Sequence, residues 1–162
     1  MIDWDWKRFD EMSGEEVHEM LALRQAVFVV EQQCAYQDAD HLDRVSWHLL
    51  GRGSDGRLAA YARVNDPGTR HRRPSIGRVL TAAHLRGRGA GRALMGLCLE
   101  KCREEYPGMG IRISAQTYLT RFYAGFGFQA VGQPYDEDGV EHVDMVLAGG
   151  GDPSRPTAKG SF

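Results

Sequence analysis

The chain has 162 residues, of which 42% are hydrophobic and 26% are charged, as in an ordinary single globular domain. This composition argues against wholesale disorder, and the longest apolar run, residues 26–30, is far shorter than the roughly 20 residues that cross a membrane. The chain has three cysteines, and its N-terminus lacks a basic region followed by an apolar one. We therefore expect a reduced, cytoplasmic protein.

The net charge of −2 hides an uneven distribution along the chain. Residues 1–45 carry 11 acids and 4 Lys/Arg, residues 46–103 carry 3 acids and 12 Lys/Arg, and residues 104–162 carry 8 acids and 4 Lys/Arg. The asymmetry indicates either a positively charged site for an anion beside a negatively charged surface that favours a cation, or an accidental clustering of surface charges.

The first third of the chain predicts a strand, a helix and a long loop. Residues 4–9 alternate weakly, as a short strand does, and Ser13 and Glu16 form a capping-box pattern that opens a helix. Arg24 lies in the apolar stripe of that helix. A buried guanidinium needs a carboxylate partner there, but we favour the simpler interpretation in which the charged head reaches water. Residues 31–44 are polar and irregular and predict a loop.

The rest of the chain alternates between strand and helix patterns. Ser-Asp-Gly at residues 54–56 and Asp-Glu-Asp-Gly at residues 136–139 predict hairpin turns. Periodicity ends near residue 149, so we predict a domain over residues 1–148 and a disordered tail over residues 149–162. The order of elements predicts a mixed sheet with helices on both faces. These elements are strands over 47–50, 58–64 and 76–80, a helix over 89–106, a strand over 111–115, a short helix over 119–126, and strands over 129–135 and 140–147.

Three glycines, Gly87, Gly89 and Gly91, stand between a predicted strand and the longest predicted helix. Glycine lets backbone N–H groups approach a ligand, and a helix N-terminus offers unpaired N–H groups and partial positive charge. Neighbouring arginines add formal charge, so the segment suits a pyrophosphate; a tight turn that needs glycine only for its geometry is the alternative. The segment lacks the Gly-Lys-Ser/Thr triplet of ATP loops and the full G-x-G-x-x-G spacing of dinucleotide sites, so neither ATP nor NAD is favoured.

Two motifs in the chain resemble those of the GNAT superfamily of N-acyltransferases. Arg86-x-x-Gly89-x-Gly91, at the start of a helix, resembles that superfamily's acyl-CoA pyrophosphate loop, and residues 122–128, Phe-Tyr-Ala-Gly-Phe-Gly-Phe, resemble its F-Y-x-x-x-G-F segment. The N-terminal half resembles the ElaA-like group of the superfamily, and the resemblance covers roughly residues 1–147. The residues that carry it in that half are Arg24, residues 26–32, Cys34, residues 36–38, Asp40 and residues 61–63.

The resemblance implies an α/β fold with a mixed, mainly antiparallel central sheet of about six or seven strands. It also implies transfer of an acetyl group from acetyl-CoA to a primary amine by direct attack, with no metal. Backbone groups of the strand before the loop would bind the pantetheine arm, and the loop would bind the pyrophosphate. The residues that we assign to acetyl-CoA are Val79, Leu80, Arg86, Gly87, Arg88, Gly89, Ala90, Gly91, Arg92, Gln116 and Phe122.

Tyr123, in the second motif, corresponds to the general acid of the superfamily. The thiolate of CoA must leave, and a well-placed tyrosine hydroxyl can give it a proton. A core tyrosine that packs the short helix is the alternative, and the motif favours the catalytic role.

The proton acceptor for the attacking amine is less well defined. An amine that arrives protonated must lose a proton before it attacks. Several superfamily members carry a glutamate on the strand before the loop, but this chain has Gly77-Arg78 there, so no base carries over. Glu31, Asp38, Asp40 and His48 are our candidate bases, in a segment whose negative charge suits a cation. The residues assigned to the acceptor site are Arg24, Asp38 and Asp40, although the two aspartates could equally solvate a loop.

Two other functions compete with the enzyme. The missing glutamate leaves open a non-catalytic module that binds or senses acyl-CoA. An RNA-associated protein could use the arginines of residues 70–92, but a pI of about 6.3 argues against it. Cys98 and Cys102 lack further ligands nearby, so buried thiols are favoured over a metal site. We expect a small-molecule or peptide amine as partner, neither nucleic acid nor membrane, and leave a homodimer open.

Overall fold

Residues 1–150, the part of the chain that the structure describes, form one sheet and three α-helices in a computed structural model. The predicted elements are confirmed with shifts of a few residues at their ends, and the predicted disorder beyond residue 150 lies outside the described residues. The strands are β1 (Asp3–Arg8), β2 (Ser46–Arg52), β3 (Leu58–Asn65), β4 (Ser75–Thr81), β5 (Ile111–Gln116), β6 (Gln129–Glu137) and β7 (Val140–Leu147). The helices are α1 (Gly14–Arg24), α2 (Ala90–Glu105) and α3 (Thr120–Ala124). Within this range, no helix has the length and apolar character that a bilayer crossing needs.

The seven strands lie in the order β1-β2-β3-β4-β5-β7-β6. All neighbours are antiparallel except β4 and β5, which are parallel and pair only where Ser75 meets Arg112. This arrangement confirms the mixed, mainly antiparallel sheet. Because β4 and β5 part after their single pair, a gap opens in the middle of the sheet.

Helices pack on both faces of the sheet, as predicted. Adjacent side chains of a strand point to opposite faces, and on β2 Leu49 and Leu50 belong to different apolar clusters. The Leu49 cluster is built on α2 and α3, and it contains Cys98 and Cys102 as buried thiols. The Leu50 cluster is built on α1. The predicted burial of the two thiols is thus confirmed.

The first helix continues beyond its α-helical part as a segment of different geometry. Ser13 caps it as the sequence predicts: its Oγ accepts from the Glu16 amide, and the Glu16 carboxylate accepts from the Ser13 amide. After α1 the chain continues as a π-helical segment, Gln25–Glu31, and turns at Gln33, whose φ is 51°. Such segments are frequent at functional sites, and this one ends at the gap between β4 and β5.

A β-bulge interrupts β4 beside the same gap. Leu80 pairs with Tyr61 and Gly77 with Arg63, so two residues of β4, Arg78 and Val79, stand opposite a single residue of β3. Arg78 has a φ of 52°, which is unusual for a residue other than glycine. Bulges re-aim a strand locally and leave a residue outside the ladder, so the backbone around Val79 differs from that of a regular strand.

Candidate active site

The gap between β4 and β5 contains a cavity of about 610 Å³. Residues 77–81 of β4 form one wall, and Ile113, Ser114 and Gln116 of β5 form the facing wall. The cavity exists because two parallel strands that share one pair leave their remaining facing backbone apart. A volume of this size suits a small-molecule ligand.

The loop after the π-helical segment and the β6–β7 hairpin both line the cavity. Cys34 Sγ on the loop donates to the backbone carbonyl of Asp138 at the hairpin tip, at 3.0 Å. Gln116 Nε2 on β5 donates to Gln32 Oε1 at 3.4 Å. These bonds connect distant parts of the chain across the cavity, so the loop that the sequence predicts as irregular is held in a defined position.

The glycine-rich turn carries a row of unpaired amides. Gly87 and Gly89 have φ values of 77° and 80°, and Gly89 is the N-cap of α2. A Cβ at either glycine would meet no atom within 4 Å, so glycine is needed for the left-handed backbone and not for space. Within residues 1–150, the amides of residues 87–92 donate to no backbone or side-chain acceptor. Six N–H groups and the positive end of a 16-residue helix are therefore available to an anion.

Three arginines flank this turn, and they differ in their contacts. Arg88 and Arg92 are exposed and make no ion pair with any described residue. Arg86, in contrast, is paired with Glu31 at the end of the π-helical segment, where its Nη2 lies 3.1 Å from Glu31 Oε2. The backbone amide of Arg86 donates to the carbonyl of Ala83 at 3.3 Å. The predicted row of anion-binding amides therefore begins at Gly87 and does not include Arg86.

The β4 residues that the sequence assigns to a pantetheine arm lie in the cavity wall. Val79 and Leu80 both line the cavity, directly after the bulge, and Gln116 lines it from β5. On the side that faces the gap, β4 has no partner strand at these residues. Backbone N–H and C=O groups on that side can therefore form hydrogen bonds with a ligand.

Tyr123 reaches the cavity from α3. The ring is 9% exposed and packs edge-on against Phe122 and Phe128, with ring centroids 5.2 and 6.2 Å away. No described residue makes a hydrogen bond with its hydroxyl, and burial raises the pKa of Tyr123 to about 12. The phenol is therefore protonated at neutral pH. The Tyr123 ring packs against other aromatic rings, as a core tyrosine does. The same side chain also lines the cavity, where a proton donor would have to lie.

Phe122 does not line the cavity. Its ring packs on Tyr123 and Phe126, and its Cζ would lie 3.8 Å from a Cβ added at Gly91. It therefore supports the first turn of α2 and the position of Tyr123, rather than forming a wall of the site.

Three arginines and three aspartates form a network beside the cavity, and four of the six are buried: Arg24, Arg63, Asp38 and Asp43. Arg24 Nε lies 2.8 Å from Asp38 Oδ2, and Arg24 Nη1 lies 2.6 Å from Asp43 Oδ1. Arg63 Nη1 bonds both Asp43 and Asp40, at 2.8 and 2.6 Å. The members of the network are Arg24, Arg63, Arg78, Asp38, Asp40 and Asp43.

The network corrects the interpretation of Arg24. Its side chain is 0% exposed, so the expectation that its head reaches water is wrong. Arg24 and Asp38 do not line the cavity, and both fix the polar loop to α1 instead of facing an acceptor. The sequence could not show this because the carboxylate partners stand 14 and 19 residues away.

His48 is also placed away from the cavity. It is 0% exposed, with Nε2 2.7 Å from the carbonyl of Asp43 and Nδ1 2.7 Å from the hydroxyl of Tyr61. A carbonyl only accepts, so Nε2 donates and Nδ1 accepts from Tyr61. Burial lowers the pKa of His48. With both nitrogens occupied inside the protein, His48 is a structural residue and not a base in the site.

Glu31 and Asp40, of the acids predicted for the site, do line the cavity. Both are engaged: Glu31 by Arg86, and Asp40 by Arg63, whose Nη2 lies 2.8 Å from Asp40 Oδ2. Burial alone would raise the pKa of Asp40, but the bonds from Arg63 and the nearby arginine charges outweigh it and lower that pKa to about 2.

The pairing explains the uneven charge of the sequence. Acids of residues 1–45 bind arginines of residues 46–103, both in this network and in part-buried pairs such as Glu19 with Arg52. Five of the eleven acids of the first segment are paired in this way: Glu19, Glu31, Asp38, Asp40 and Asp43. The acids of this segment that line the cavity, Glu31 and Asp40, are both paired with arginines.

Sequence reasoning missed a polar group at the hairpin side of the cavity. Ser114, Glu137 and His142 line it there, together with Arg70 from the loop before β4. Glu137 Oε1 lies 3.5 Å from Arg70 Nη2, and Glu137 Oε2 lies 3.4 Å from His142 Nε2. The alternation of His142 and Asp144 with apolar Val143 and Met145 was a signal that these polar residues share one face of β7.

Comparisons with known proteins agree with this architecture. A model of the acetyltransferase (GNAT) domain matches residues 9–148. A UPF0039 protein of Synechocystis is 58% identical over 146 residues, which cover 90% of this chain and 95% of that protein. Protein ElaA of Escherichia coli is 40% identical over 148 residues, which cover 90% of this chain and 96% of that protein.

Two solved structures extend the similarity to three dimensions. An acyl-CoA N-acyltransferase from Pseudomonas aeruginosa aligns with a TM-score of 0.87 at 37% identity, over 91% of this chain and all (100%) of that chain. Escherichia coli ElaA aligns with a TM-score of 0.84 at 40% identity, over 91% of this chain and 99% of that one. The chain therefore belongs to the GNAT acetyltransferase family, within its ElaA-like group.

Proposed function

We propose that the protein is an N-acetyltransferase that moves the acetyl group of acetyl-CoA to a primary amine. The observation that carries the proposal is the row of unpaired amides at residues 87–92, placed directly after the bulged strand that forms a wall of the cavity. The family supports an acyltransferase, and the Pseudomonas relative is described as an acyl-CoA N-acyltransferase. That the donor is acetyl-CoA and that the acceptor is a primary amine are parts of this proposal.

The residues present fit acetyl-CoA along its length. The amides of residues 87–92, with the exposed Arg88 and Arg92, suit a pyrophosphate because both backbone N–H groups and guanidinium groups bind phosphate oxygens well. On the side of β4 that faces the gap, the backbone around Val79 and Leu80 has no partner strand and suits the amides of the pantetheine arm, and Gln116 lines the cavity from β5. When bound, acetyl-CoA supplies an acetyl group activated as a thioester.

The chain's own residues then supply the proton chemistry. Tyr123 keeps its proton at neutral pH, lacks a partner among the described residues, and lines the cavity, so it can donate to the sulfur as the thiolate leaves. The Val79 amide, beside the bulge, can stabilise negative charge on the carbonyl oxygen. Neither step needs the strand glutamate that is absent at Gly77-Arg78.

Binding is tested by thermal unfolding with and without acetyl-CoA. We expect saturating acetyl-CoA to raise the Tm, because a ligand that binds only the folded state stabilises it. Gly89→Glu should abolish this shift by placing a carboxylate at the phosphate site, whereas Gly89→Gln, equally strained at a positive φ, should retain most of it. No shift with the wild type would refute both the enzyme and the acyl-CoA sensor.

Turnover is tested by release of free CoA with a panel of spermidine, glucosamine, free lysine and a short peptide with a free N-terminus. At least one amine should raise CoA release above the rate of acetyl-CoA alone. A ligand-induced Tm shift with no release for any amine would instead favour the non-catalytic acyl-CoA module.

A further inference from the structure

We propose that His142 is the general base that takes a proton from the amine, and that Glu137 positions it; this inference rests on the proposed function. Of the six histidines of the chain, which all fall within residues 1–150, His142 is the one that lines the cavity. It stands on β7, in register with Gln116 of β5, so a neighbouring strand directs it to the same space as the acetyl-CoA residues.

The hydrogen bonds of the His142 ring fix the position of its lone pair. Nδ1 lies 2.8 Å from the carbonyl oxygen of Val140, and a carbonyl only accepts, so Nδ1 carries the hydrogen. The neutral ring then has its lone pair on Nε2, which lies 3.4 Å from Glu137 Oε2. His142 Nε2 and Glu137 Oε2 are then both hydrogen-bond acceptors, with no hydrogen between them. An N–H group of a protonated amine that enters this position can donate to both.

Neighbouring charged, polar and aromatic side chains hold His142 and Glu137 in place. Glu137, on β6, also contacts Arg70 at 3.5 Å and Ser114 Oγ at 3.4 Å. The imidazole stacks on Tyr135, with ring centroids 6.2 Å apart at 23°. The hydroxyl of Tyr135 in turn donates to Asp144, which Arg112 of β5 holds at 2.7 Å. The ring is thus fixed on one face and at Nδ1, with Nε2 as its free position.

The competing acids are less suited to accept a proton. Arg86 holds Glu31, and Arg63 holds Asp40, whose lowered pKa makes it a weak base. Nε2 of His142, in contrast, gains an ion pair with Glu137 when it is protonated.

The proposed step balances as a proton transfer coupled to attack. One N–H bond of the ammonium breaks and a new N–H bond forms at His142 Nε2. The electron pair left on the amine nitrogen forms the bond to the acetyl carbonyl carbon, and the C=O π pair moves onto the oxygen. When that pair returns, the C–S bond breaks, the sulfur takes the proton of the Tyr123 hydroxyl, and the second N–H proton of the former amine restores that hydroxyl. The resulting imidazolium is compensated by the Glu137 carboxylate, as in other histidine–carboxylate pairs.

The closing experiment compares two nucleophiles in acetyl transfer from acetyl-CoA: the best amine of the panel, which is protonated at neutral pH, and hydroxylamine, which is largely neutral there. His142→Gln should lower kcat/KM for the amine by about 100-fold or more and leave hydroxylamine within a few-fold of wild type, because only the amine needs a base. Glu137→Gln should lower kcat/KM for the amine by roughly tenfold and leave hydroxylamine within a few-fold of wild type, because only the amine needs the base that Glu137 positions. The control, His18→Gln on the exposed face of α1, should change neither rate.

The outcomes separate the two proposals. If the wild type transfers acetyl to neither nucleophile, the transferase function itself is refuted, and the base with it. If the wild type is active but His142→Gln lowers the rates with the amine and with hydroxylamine equally, the base assignment alone is wrong. The same holds if the substitution lowers neither rate. Nitrogen-15 NMR of the ring gives a check without turnover: the neutral Nδ1–H tautomer is expected, and an Nε2–H tautomer would overturn the proposal.

Discussion

Glu31 and Arg86 form an ion pair across the mouth of the cavity, between the end of the π-helical segment and the start of the glycine-rich turn. Both side chains are about two-fifths exposed, at 43% and 41%. The hydrogen bond from Arg86 lowers the pKa of Glu31. A carboxylate thus pairs with the guanidinium of the residue that directly precedes the proposed phosphate site.

Glu31→Gln should therefore tighten acetyl-CoA binding. The substitution removes the anion that competes for Arg86, and since an exposed pair contributes up to about 1 kcal/mol, the Kd should fall by up to about fivefold. Isothermal titration calorimetry measures this. Glu19→Gln, which removes the partner of Arg52 far from the cavity, is the control and should leave Kd unchanged. A loss of kcat of about 100-fold would instead identify Glu31 as the base.

Tyr123→Phe should lower kcat and leave acetyl-CoA binding almost unchanged. The hydroxyl bonds no described residue, so its loss removes only the proton donor, at a cost of about 100-fold or more in kcat. Steady-state kinetics and a Kd measurement separate the two effects. Tyr106→Phe makes the same chemical change at a hydroxyl bound to Asp66 and should retain full kcat. Equal activity of the two variants would reassign the acid.

Arg63→Met should destabilise the protein strongly. The guanidinium is fully buried, and its removal leaves Asp40 and Asp43 with excess negative charge in the interior. Breaking such a pair costs about 3–5 kcal/mol. Arg52→Met removes a partner of Glu19 in a pair that water still reaches, and should cost about 1 kcal/mol or less. Urea unfolding of both variants checks the difference, and equal losses would contradict the structural role of the network.

Acid should unfold the protein in part through Asp40. Its pKa is about 2 in the folded state, below the ordinary value of 3.8, so its contribution is complete above about pH 4 and is lost as pH falls towards 2. The contribution amounts to about 2 kcal/mol at neutral pH. Asp40→Asn should be less stable than the wild type at neutral pH, and the difference should vanish near pH 2. Urea unfolding at a series of pH values measures it, and a pH-independent difference would contradict the shift.

The parts of the site that depend on local sequence were predictable. Gly87 and Gly89 lie in a turn whose backbone and following helix are encoded within a few residues, and the capping pattern of Ser13 is equally local. The burial of Arg24 was not predictable, because it depends on Asp38 and Asp43 returning to α1 after a loop without periodicity. His142 needed the strand register, since only the order β5-β7-β6 brings it to the cavity.

The parting of β4 and β5 gives the sheet two internal edges, where a sheet normally has edges only at its rim. Such an edge recognises an extended chain of amides through its main chain, without regard to substituents. In the proposed function these strands would bind the amide-bearing arm, which is common to every thioester of coenzyme A, and would not distinguish a short acyl group from a longer one. Discrimination between acyl groups would then come from side chains at the end of the cavity where the thioester would lie.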